Sequence, residues 1–131
     1  MGSSHVFAAR MYIQAPKTVS SNNAPLSFSI YIDPEGESIS GTSGDLSFSS
    51  NLFELDTITV NGGVVSLWAV TPQVSAEKFF DQRSHILFEG IIPGGFKGVS
   101  SPYYKEKGDG VIFTVTVIPK KQGLDTFRLD N

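Results

Sequence analysis

The chain has 131 residues, 40% of them apolar and 18% charged, with a net charge near −3. That balance excludes a disordered tail, a coiled coil and a basic surface for nucleic acid, and at this length one domain can bury roughly 65–70% of its unfolded surface. The sequence holds no cysteine, so disulfides, thiol catalysis and thiolate-held zinc are ruled out, and no run approaches the ~18 apolar residues of a membrane-spanning helix.

In chain order, MGSSH reads as an expression leader, and residues 1–9 are expected to stand outside the fold as leader or disordered N-terminus. Beyond it helical periodicity is nearly missing and alternation by two dominates, the pattern that sends successive side chains to opposite faces of a strand. The spacing predicts a strand over 10–15, then one over 26–32 with Leu26, Phe28, Ile30 and Ile32 on a single side. Further strands are predicted over 45–49, 52–60, 64–70 and 84–91, with another at 113–117, where the threonines face out, and a last one at 126–130. Asn61-Gly62-Gly63 predicts a tight hairpin between the fourth and fifth of these, because both Asn and Gly tolerate positive φ. Residues 75–80 suit a short helical turn inside a longer connection. Short strands at regular spacing, punctuated by glycine, predict an all-β sandwich of eight or nine strands.

The order of these segments resembles cohesin-like modules of the cohesin and carbohydrate-binding-module superfamily. The matching stretches are LSFSIYID, GTSGDLSFSSNLFELDTITV, SLWAVTP, HILFEGIIPGGFKG and GDGVIFTVTVIPKKQGLDTFRL, which together run from about Arg10 to the C-terminus. Ser20-Ser21-Asn22-Asn23-Ala24-Pro25 stands where the family carries a glycine before its second strand. The resemblance implies a nine-stranded jelly-roll sandwich over residues 10–131. It also implies a non-catalytic, monomeric binding module without cofactor, at the surface of a bacterium or outside it. Cohesins bind dockerins, small calcium-loaded helical modules, so the implied partner is a dockerin-like protein. Carbohydrate binding and a spacer role in a surface protein are the alternatives.

Catalytic chemistry finds little purchase. No Gly-x-Ser-x-Gly elbow surrounds a serine, and of the two histidines only His85 lies beyond the leader, where it reads as a surface or edge-strand residue. Asp33, Glu35 and Glu37 alternate in IDPEGES; calcium favours such oxygen clusters, but the loop spacing of an EF-hand is missing and an exposed acidic turn accounts for them. Glu54, Asp56 and Glu89 fall on predicted strands, and glycoside hydrolysis would need two such carboxyls across a cleft that a filled sandwich does not offer. Lys105-Glu106-Lys107 reads as a solvated loop.

The candidate binding residues come from the sheet faces. With Phe113, Val115 and Val117 turned inward, strict alternation turns Ile112, Thr114, Thr116 and Ile118 outward. The same rule turns out His85, Leu87 and Glu89 on the strand over 84–91, and Asp45, Ser47 and Ser49 on the strand over 45–49. The resemblance implies that these three strands share one sheet, whose outer face docks the partner through Asp45, Ser47, Leu87, Glu89, Ile112, Thr114, Thr116 and Ile118. On that expectation an aspartate at either Thr116 or Leu87 abolishes binding. The alternative, a polysaccharide platform, would use Trp68 with Tyr103 and Tyr104. Trp68 alternates with Ser66 and Val70 while Val65, Leu67 and Ala69 take the other face, so period alone leaves core and platform both open, and core packing is preferred because few other aromatics are free to align with it.

Overall fold

Alternation passes directly into strand geometry. A computed structural model describes residues 10–14, 24–75, 81–101, 104–108, 110–120 and 127–130. Its strands are β1 (Arg10–Gln14), β2 (Leu26–Asp33), β3 (Ile39–Ser49), β4 (Phe53–Thr59), β5 (Leu67–Val74), β6 (Arg83–Phe96), β7 (Val99–Ser101), β8 (Tyr104–Gly108), β9 (Gly110–Pro119) and β10 (Arg128–Asp130). Eight of them form two antiparallel sheets, ordered β1-β2-β9-β4 and β10-β3-β6-β5, while β7 and β8 pair as a separate two-stranded ribbon. The all-β class expected from the pattern holds. Among the described residues the count of nine gives way to eight strands in the two main sheets plus the ribbon. Lys105-Glu106-Lys107, expected in a loop, belongs to β8, and the helical turn expected over 75–80 falls, except for Ser75, outside the described residues.

The two sheets close on one apolar layer. Phe28, Ile30 and Ile32 of β2 and Phe113, Val115 and Val117 of β9 meet Leu46 and Phe48 of β3 and Ile86 and Phe88 of β6, all buried. Aromatic rings join the sheets: Phe88 stands edge-on to Phe113 at 4.9 Å between centroids, and Phe48 to Phe53 at 6.4 Å. Each fully enclosed side chain of this kind contributes about 1.5–3 kcal/mol, and offset or edge-on ring pairs add to that.

Two local devices overrule the simple period. Ile30 pairs with Phe113 but Tyr31 pairs with Val111, so Ile112 is the extra residue of a β-bulge. A bulge inserts one residue without a ladder partner and resets which side its neighbours face; Ile112 and Phe113 are both 0% exposed. Asn61-Gly62-Gly63 does turn, with Gly62 at φ 81° and the Gly63 amide donating to Val60 O, but it makes no hairpin. β4 pairs with β9 and β5 with β6, so this turn carries the chain from one sheet to the other. A Cβ on Gly63 would stand 2.6 Å from Ile112 O, which makes glycine necessary for so close a crossing.

Candidate functional site

The strands expected to share one face divide between the sheets. β3 and β6 are neighbours, but β9 lies in the opposite sheet, and the strand beside β3 is β10. The eight residues expected to form one docking face therefore do not meet. Asp45, Leu87 and Glu89 share the outer side of β10-β3-β6-β5. Thr114 and Thr116 are half-buried on β9 and face away on the other sheet, where Ser29 and Ser27 hold their hydroxyls at 2.8 Å. Ile118 lies opposite Glu54 on that same sheet. Ile112 is enclosed by its bulge. Ser47 is on the expected side but only 3% exposed, because Arg83 covers it: Nε donates to Ser47 Oγ at 3.0 Å and Nη2 to Ser47 O at 2.8 Å.

Register builds the face that remains. Across β3 and β6, Ser43 faces Glu89, Asp45 faces Leu87, Ser47 faces His85 and Ser49 faces Arg83. From β5, Leu67 faces Ile91, Val70 faces Glu89 and Gln73 faces Leu87; on the far edge Arg128 faces Ser47 and Asp130 faces Asp45. Val70 joins this side only because Ala69 is an extra residue between the Trp68–Gly90 and Val70–Glu89 pairs. Among the described residues the large apolar side chains that stand exposed are Leu67, Val70, Val74, Leu87 and Ile91, between 37% and 54%. All five lie on β5 and β6; Val74 pairs with the inward Ile86, and the other four share the outer side. Scattered single apolar residues are ordinary on a surface, whereas a contiguous group marks a place where another molecule can be buried.

A groove of about 510 Å³ crosses this face, lined by Ser43, Asp45, Val70, Leu87, Glu89 and Asp130 among others. Three of those six are carboxylates and none is a cation. A second cleft, of about 400 Å³, runs between Met11, Ile32, Ile39 and Ile91, and of its lining residues only Glu89 ionises. Among the described residues, no second carboxyl of the kind acid–base hydrolysis needs lines this cleft. Glu54 and Asp56 are exposed on β4, in the other sheet from Glu89.

Next to the groove lies a feature that alternation alone did not reveal. His85, expected at a surface or an edge, is on an inner strand and only 9% exposed. Its Nδ1 is 2.8 Å from Asp45 Oδ2, and its Nε2 is 2.7 Å from Asp81 Oδ2. Burial opposes a charge on the imidazole, but hydrogen bonds and attraction from Asp45 and Asp81 outweigh it and hold the ring's pKa above its ordinary value. The slight desolvation of Asp81 is likewise outweighed, chiefly by His85 and by the Arg83 amide, so its carboxyl is held below the usual carboxylate range. The signal in the sequence was DQRSH itself, where Asp81 and His85 lie four apart; Asp45 could join them only through strand register.

Trp68 pairs with Gly90, is half-buried, and stands edge-on to Phe113 at 6.5 Å, so its ring is part of the packing and not part of an outward platform. Tyr103 lies outside the described residues, and Tyr104 begins β8. Asp33 ends β2 above a turn in which its Oδ1 accepts the Glu35 amide at 2.9 Å, and its Oδ2 is 3.6 Å from Arg10 Nη2. In comparisons with known proteins, no family model, no curated protein and no solved structure matches this chain.

Proposed function

We propose that this chain is a non-catalytic, cohesin-like interaction module of jelly-roll topology that binds a dockerin-like protein outside a bacterial cell. The docking surface is the outer face of β10-β3-β6-β5. The observation that carries this reading is the gathering of Leu67, Val70, Leu87 and Ile91 on adjacent strands. Asp45, Glu89 and Asp130 border the groove beside them. Protein interfaces combine an apolar centre with a polar rim in this way. Carboxylates at that rim favour a partner that brings lysine or arginine next to its apolar anchor, through electrostatic complementarity that speeds encounter and fixes orientation. The inward packing of Trp68 favours a protein partner over a polysaccharide.

The test is a pair of variants titrated against a panel of calcium-loaded dockerin modules. Leu87→Asp is expected to abolish binding, because it places a charge at the centre of the apolar group. Thr116→Asp, on the opposite sheet, is expected to bind like the parent, which revises the expectation that both would fail. Loss in Thr116→Asp alone, or no dockerin bound by the parent chain, overturns the proposal.

A further inference from the structure

We propose that Asp81, His85 and Asp45 form a protonation-dependent latch, which ties the turn before β6 to β3 when the imidazole carries two protons and slackens when it carries one. The geometry leads there. A carboxylate only accepts hydrogen bonds, and a neutral imidazole donates only one. His85 has a carboxylate oxygen within 2.8 Å of each ring nitrogen. Both contacts are hydrogen bonds only in the imidazolium form. On losing a proton the ring keeps one carboxylate and turns a lone pair toward the other.

The two carboxylates are not equally placed to leave. Asp45 is inside β3, a strand paired on both sides. Asp81 precedes Gln82, whose φ of 57° puts a non-glycine residue in the left-handed region, where its Cβ crowds the backbone. Other ties hold this turn as well. Asp81 Oδ1 accepts the Arg83 amide at 3.1 Å, and Gln82 O accepts the Ser50 amide at 3.2 Å and the Ser50 hydroxyl at 2.8 Å. Deprotonation therefore removes one of several tethers, and the strained turn is the part that slackens.

Other charges around His85 set the direction. Arg83 lies two residues earlier on β6 and donates to Ser47. Arg128 and Asp130 come from β10 opposite Ser47 and Asp45. Glu89 lies further along β6, and β5, LWAVTPQV, brings no titratable side chain. The two carboxylates in direct contact dominate, so the latch is closed while the carboxylates are ionised and the imidazole is doubly protonated, and opens as pH rises through a histidine midpoint held above the ordinary value. Because Asp45 also lines the groove beside Leu87, opening alters the charge the groove offers, a consequence that rests on the docking reading; the latch itself does not.

The experiment uses the full chain without a partner, so its outcome is independent of dockerin binding. Imidazole nitrogen shifts of His85, assigned with His85→Gln, are followed by NMR across pH, together with the exchange protection of the Ser50 amide corrected for intrinsic rate. The latch requires both nitrogens protonated below a midpoint that lies above the ordinary histidine value. It also requires Ser50 protection to fall by roughly two- to fivefold through that midpoint, the scale of one exposed ion pair. Asp81→Asn, at an exposed position, is expected to lower the midpoint, and His85→Gln to make the protection independent of pH. A midpoint at or below the ordinary value, or protection that stays flat while His85 titrates, overturns the proposal. So does an unchanged midpoint in Asp81→Asn.

Discussion

Ile112→Ala separates the bulged structure from the alternating pattern it replaces. Alternation would put Ile112 on a solvent face, where truncation changes stability by no more than about 0.5 kcal/mol. In the bulge its side chain is 0% exposed. Removing three carbons from an enclosed site costs the lost transfer free energy plus a cavity term, typically about 2–5 kcal/mol. The crossing of the Gly63 turn over Ile112 O restrains the backbone from closing the space, which argues for about 3–4 kcal/mol within that range. At roughly 3–5 °C per kcal/mol for a domain of this size, Tm should fall by about 9–20 °C. Urea unfolding followed by Trp68 emission and by far-ultraviolet circular dichroism gives the value, with unchanged m as the check that only stability moved. Thr114→Ala is the control: it removes one half of the hydroxyl pair with Ser29 and should cost about 0.5–1.5 kcal/mol. Ile112→Ala within about 0.5 kcal/mol of the parent would refute the bulge.

Two further outcomes follow from the same geometry. In Gly90→Ala the new Cβ would stand 2.6 and 3.0 Å from the Val65 methyls and 3.1 Å from the Trp68 ring; overpacking of this kind costs about 1–3 kcal/mol. Trp68 emission should move to longer wavelength and quench more readily with iodide, and unchanged emission in a stable variant would contradict the inward placement of the indole. Stability should also carry a His85 component with a defined sign. Since the folded pKa is raised, the contribution is fully present below the unfolded value of about 6.5 and is lost as pH rises through the folded pKa. Subtracting the denaturation profile of His85→Gln from that of the parent isolates it; a component that grows with rising pH would be of the wrong sign.

Much of the fold was legible because burial writes itself into period. LSFSIYID and the core of β9 show their inward residues plainly, since each sheet has one wet side and one dry side. The unreadable part lies where a single residue is added. Ile112 and Ala69 have nothing in their chemistry to mark a bulge, yet each shifts the side chains beside it. One moves an apolar residue from the surface into the core, and the other brings Val70 onto the same side as Leu67. Asn61-Gly62-Gly63 misled in a different way. Its local chemistry does make a turn, but a turn says only that the chain reverses; which strands then pair is decided by where β4 and β5 bury their apolar sides.

The division of the expected docking residues has the same origin. Alternation assigns a side chain to one of two faces of its own strand and carries no information about which strands are neighbours. That assignment was sound for Leu87 and Glu89 and for Thr114 and Thr116, but topology sends the first pair to one outer surface and the second to the other. Once β10 occupies the place beside β3, Asp130 stands across from Asp45, and a carboxylate from the end of the chain joins the groove. The same register puts Arg83 over Ser47 and brings Asp45 to His85, so one short segment of β3 takes part in the groove, the covered serine and the latch. A face defined by strand order in this way cannot be moved by changing one side chain on the opposite sheet, which is why Leu87→Asp and Thr116→Asp must part company if the docking surface is where β5 and β6 put it.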